Sequence, residues 1–128
     1  MKRKIISVFL ILASFICLCP IRVYAADERV LLARAIESAA SGESYTVMVS
    51  LASVLLNRVE SDKYPASLAA AISDAGIDVS AVTPSSQAMR AARDAMGGFD
   101  PTDGALEYSS GESELPFVRL KTGTWCFY

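Results

Sequence analysis

The stretch from residue 31 to 59, LLARAIESAASGESYTVMVSLASVLLNRV, decides the fold. It predicts a helix, a tight break at Ser41–Gly42, and a second, longer helix. The first carries Val30, Leu31, Ala35 and Ile36, followed by the small residues Ser38, Ala39 and Ala40. The second carries Tyr45, Met48, Ala52, Leu55 and Val59, steps of three or four that line one helical face. Gly42 supplies the positive φ at which helices commonly end. Two helices joined so briefly must pack on each other, so this hairpin is the expected core, with Leu55 and Leu56 inside it.

Upstream, Lys2-Arg3-Lys4, the apolar run Ile5 to Cys19 and the small-x-small site Val23-Tyr24-Ala25 read as a secretory signal cleaved before Ala26. The apolar run is short of the roughly 20 residues that span a bilayer. The expected organisation is therefore a leader at 1–25 and one domain at 26–128, in contact with a membrane only through the leader before cleavage. Cleavage removes four of the 12 basic residues, leaving eight against 14 acidic ones. An acidic surface of that kind argues against nucleic acid as a partner. Cys17 and Cys19 leave with the signal, and Cys126, the third cysteine, is expected as a buried apolar side chain. The chain has no histidine, which excludes His-based triads and His-ligated metal. No metal or cofactor is expected.

Downstream, Asp27 is an expected N-cap for the first helix and Ser67 for a short helix from Leu68 to Ser73, ended by Gly76. Thr83-Pro84 reads as an N-cap followed by proline at the first position of a helix that runs to Met96, with Met89, Ala92 and Met96 inward. Asp100-Pro101-Thr102-Asp103-Gly104 is a turn. Beyond it the period falls to two, and Ala105–Tyr108, Phe117–Leu120 and Trp125–Tyr128 are expected as short strands. Helices followed by a few C-terminal strands predict a small, mostly helical α+β domain.

The run Ala33-Arg34-Ala35-Ile36, then Gly42-Glu43, Tyr45 and Val54-Leu55-Leu56-Asn57-Arg58-Val59, resembles the bacterial cell wall hydrolase family of the spore cortex-lytic (SleB) type. That family reads A-R-x-I-x-x-E-A-x-G-E before its V-x-L-N-R-V. Tyr64-Pro65, Ala91-Ala92 with Gly98, and Asp100-Pro101-Thr102 with Gly104-Ala105-Leu106 fall in the family's order, so the resemblance covers residues 30 to 128. It implies a lysozyme-like single domain, a monomer directed at peptidoglycan, and a place outside the cell or in the cell wall or spore envelope.

The chain departs from the family where chemistry is expected. Cleaving a glycosidic bond needs a carboxylic acid to protonate the leaving oxygen. The family's first Glu of E-A-x-G-E, the implied donor, is Ala39 here. Glu43 matches the second Glu and is the surviving candidate acid, with helix capping or pairing with Arg58 as its structural alternatives. Glu37 is expected to face elsewhere, about 200° round the helix from Ala39, and Glu107 stands where the family has an aromatic residue. The late G-x-H-x-F has become Gly123-Thr124-Trp125-Cys126-Phe127. Tyr45, Asn57, Arg58 and Tyr108 are the candidate groove and scaffold residues. Three readings follow: a hydrolase with weak or absent activity, a non-catalytic peptidoglycan-binding or regulatory relative, and a small secreted helical interaction domain.

Overall fold

A computed structural model describes residues 24–111 and 117–128. Residues 1–23, and with them nearly all of the expected leader, lie outside the described residues.

The hairpin is present. Helix α1 spans Ala26–Ala40 and α2 spans Tyr45–Glu60, separated by Gly42 at φ 76°. Ser44 caps α2, its side chain accepting from the Val47 N–H at 3.3 Å. The cap of α1 is Ala25 rather than Asp27. The Glu28 carboxylate accepts the Ala25 N–H at 3.3 Å, and Asp27 sits inside the first turn, where the helix dipole favours an acid.

The sequence pattern gives α2 one apolar face, but the folded helix is buried nearly all round, from Val47 through Leu56 and again at Arg58 and Val59. Helices α1, α3 (Leu68–Asp74) and α4 (Ser86–Met96) and the last strand all pack against it. A helix apolar on every side is one that neighbours surround. Leu55 is fully buried and Leu56 nearly so.

Helix α3 begins on its expected cap, Ser67, and is followed by Gly76 at φ 72°. Helix α4 starts later than its Thr-Pro signal suggests. Its cap is Ser85, which accepts from the Ala88 N–H at 3.1 Å. Ser85 is fixed from the other side by Glu37, whose carboxylate takes both its N–H and its hydroxyl, at 3.0 and 2.6 Å. The inward face of α4 is Ala88, Ala91, Ala92 and Ala95, with Met89 and Met96 only half-buried. Alanines allow α4 to approach α1 and α2 closely, which pushes the longer methionines to the edge of the contact.

The strands are offset from the expected ranges. β1 is Tyr108–Ser110, β2 Leu120–Thr122 and β3 Trp125–Phe127, in the antiparallel order β1-β3-β2. Gly123, at φ 59°, and Thr124 form a two-residue turn that fixes Thr122 opposite Trp125. Ala105 and Leu106 precede the sheet because other groups claim their backbone. Asn57 and Arg58 take their carbonyls, and the Tyr128 carbonyl takes the N–H groups of Leu106 and Glu107. Cys126 is a free, buried thiol in the central strand. No helix among the described residues is long and apolar enough to cross a membrane.

Candidate functional site

The residues singled out from the sequence divide between the two ends of α2. Tyr45 and Arg58 lie 13 positions apart, about 20 Å along a helix.

Ala39 is at the first end, half-buried and packed on the core at the close of α1. Glu43 follows the turn and is exposed. Its backbone N–H donates to the Ala40 carbonyl at 3.1 Å. Neither structural alternative for its side chain holds, because Ser44 caps α2 and Arg58 pairs with Glu107. Glu37 does face away, toward α4. Hydrogen bonds from the Ser85 hydroxyl and N–H, then from Ser41, hold its carboxyl below the usual carboxylate range. Tyr45 also turns to α4. Its hydroxyl donates to Asp94, and the Arg90 guanidinium lies 4.8 Å from the ring centre. Burial first, and then the Asp94 carboxylate, push this phenol up. Tyr45 therefore shares no surface with the other groove candidates.

The opposite end of α2 holds a connected polar cluster. Asn57 donates to the Asp100 carboxylate at 3.0 Å and to the Ala105 carbonyl at 3.1 Å. Asp100 organises the turn that the sequence marks, accepting from the Thr102 N–H at 2.8 Å, the Thr102 hydroxyl at 2.6 Å and the Gly104 N–H at 2.9 Å. Burial alone raises an aspartate, but these hydrogen bonds outweigh it and leave Asp100 below its ordinary value. Arg58, only 6% exposed, donates through Nε to the Leu106 carbonyl at 2.7 Å and through Nη2 to Glu107 at 2.9 Å. The Tyr64 hydroxyl donates to the other Glu107 oxygen. The rings of Tyr64 and Tyr108 lie 4.8 and 5.7 Å from the guanidinium carbon, within cation–π range. The bond to Glu107 and then burial push the Tyr64 phenol up, and burial does the same to Tyr108.

Arg58, Tyr64, Asp74, Ala75, Glu107 and Tyr108 line a surface cavity of about 410 Å³. A larger hollow of about 500 Å³ beside Tyr24 is lined by Ser53, Asn57 and Asp100 among others. The polar groups of those three are engaged with one another, with backbone and with Thr102, so the cavity at Arg58 is the better candidate. Sequence reading puts Arg58 and Tyr108 there and cites Tyr64 only in its match to the family. It flags Glu107 only as a replaced aromatic residue.

The sequence model of the cell wall hydrolase family matches residues 42–128, two-thirds of the chain. This chain belongs to the cell wall hydrolase family. A spore cortex-lytic enzyme of Bacillus cereus is 34% identical over 94 residues, covering 66% of this chain and 35% of the relative. One from Bacillus subtilis is 38% identical over 87 residues, covering 61% and 28%. The chain thus spans about a third of the length of these curated relatives. Among solved structures, the catalytic domain of the Bacillus cereus SleB protein superposes with a TM-score of 0.69 at 30% identity, covering 83% of this chain and 92% of that one. The catalytic domain of the germination-specific lytic transglycosylase SleB from Bacillus anthracis gives 0.67 at 28% identity, covering 81% and 95%. This chain therefore has the mostly helical, lysozyme-like α+β fold that its motifs imply. The family match begins at Gly42, so Ala39 lies just outside it.

Proposed function

We propose that this chain is an exported protein that holds the glycan strands of peptidoglycan and cleaves them weakly or not at all. Family membership and the spore cortex-lytic enzymes among its relatives support the substrate. The leader expected at 1–25 supports a place in the cell wall or spore envelope, with residues 26–128 as the working domain. The observation that carries the catalytic half of the reading is Ala39, a methyl group at the end of α1 where the family pattern has its implied proton donor. General acid catalysis needs an ionisable group within hydrogen-bond reach of the leaving oxygen, and a methyl group has no proton to give. Glu43 does not restore the arrangement. It is exposed beyond the turn, without the apolar enclosure that tunes a carboxylic acid for this work.

Incubating the exported protein with purified sacculi tests both halves. The expected result is co-sedimentation with the insoluble wall and little or no release of reducing or anhydro ends. Release at the rate of a relative that keeps the donor glutamate, abolished by Glu43→Gln, would make Glu43 the acid and overturn the reading. Failure to co-sediment would remove peptidoglycan as the partner.

A further inference from the structure

The first turn of α1 leans on residues that the expected cleavage removes. Ala25 is its cap: the Ala25 carbonyl accepts the Arg29 N–H at 3.2 Å, and the Ala25 N–H donates to Glu28 at 3.3 Å. Alanine has no side-chain acceptor, so this cap is backbone alone. Tyr24 anchors it. Half-buried, Tyr24 packs against the core and, with Met96 and Gly97, lines both the 500 Å³ hollow and a neighbouring one of about 400 Å³. Asp27 lies within the first turn and is exposed, although its side chain is the one that the local sequence offers as a cap.

We infer that removal of the leader transfers the cap of α1 from Ala25 to Asp27. A cut before Ala26 deletes the carbonyl that Arg29 uses, the N–H that Glu28 uses and the ring of Tyr24 that holds both in place. It also creates an α-ammonium at Ala26, against the positive end of a helix, where a cation is disfavoured. Unwinding α1 as far as Asp27 moves that charge off the helix end. The Asp27 carboxylate then turns to the N–H groups of Arg29 and Val30, the orphan donors that a cap satisfies. The last two residues of the leader are thus a removable part of the fold. The uncleaved and cleaved proteins differ at the start of α1 and in the two hollows that Tyr24 lines. The inference rests on the reading that the chain is exported with a leader at 1–25.

Expressing the natural chain and an Ala25→Leu form, whose large side chain defeats the small-x-small site, gives the cleaved and uncleaved proteins, both studied in the same detergent. Mass spectrometry is expected to start the natural chain at Ala26. The Cα chemical shift of Asp27 is then expected at helical values in the uncleaved protein and away from them in the cleaved one. Asp27→Asn and Asp27→Ala remove the same charge, but only the first keeps a capping side chain. In the cleaved protein, Asp27→Asn should have a folding equilibrium constant about fivefold above that of Asp27→Ala. In the uncleaved protein that order should vanish or reverse, because alanine is the better residue inside a helix. A helical Asp27 in the cleaved protein, or equal folding constants for the two variants there, overturns the transfer. Where a variant does not fold, the chemical shift in the natural chain decides. A natural chain that still begins at Met1 removes the leader reading and this inference together. One that begins at Ala26 with a helical Asp27 sinks the inference alone.

Discussion

The two ends of α2 are held by different kinds of contact. At its start, the turn from Ala39 to Ser44 is set by backbone conformation and a helix cap. Gly42 keeps its left-handed conformation and Ser44 its cap, while residue 39 carries only a methyl group and Glu43 stands in solvent. At its end, Asn57 and Arg58 reach 43 to 49 residues ahead to bind Asp100, Ala105, Leu106 and Glu107. Unsatisfied buried polar groups are costly, so a network this complete is maintained by folding itself. A catalytic carboxyl has no such protection, because its removal costs the fold nothing. Loss of an acid at residue 39, as proposed above, would therefore leave the polar cluster at the other end of α2 intact.

The largest effect that sharpens this contrast is a gain of activity. Ala39→Glu puts a carboxyl at the end of α1 against the core. General acid catalysis contributes about 10²–10⁴-fold, so release of ends from sacculi should rise by up to that factor over the natural chain. No rise in a variant that still binds sacculi would mean that the first end has lost more than its acid.

Next comes the core that joins the two ends. Leu55 is fully buried, and Leu55→Ala should cost about 2–5 kcal/mol in denaturant unfolding. A cost under about 1 kcal/mol would show that α2 is not the central helix.

A smaller effect reports on the polar end through pH. Asp100 has its folded pKa depressed by its hydrogen bonds. Its stabilising contribution is therefore fully present above its unfolded value of about 4 and is lost as pH falls through the lower, folded value. The stability gap between the natural chain and Asp100→Asn should be widest near neutrality and close below about pH 4. A gap that is constant across the range would break the assignment.

The smallest expected effect is at the opposite end. Glu43→Gln should leave stability within about 0.5 kcal/mol and retention on sacculi unchanged. A clear loss of either would give Glu43 a role that its exposed position does not show.

The sequence by itself determined the hairpin, the left-handed glycines at 42 and 76, the cap at Ser67, the turn at Asp100 and the methyl group at residue 39. Each of these is local: a periodicity, a residue whose backbone freedom or side-chain length suits one position, or a side chain without a titratable group. The tertiary structure decided the rest. Thr83-Pro84 is a sound local cap, yet α4 starts from Ser85, because the distant Glu37 supplies its partner. Tyr45 leaves the expected groove for Asp94, and Tyr64 enters it through Glu107. These pairings span more than 40 residues. They follow from how the helices pack around α2, and no local propensity carries that information.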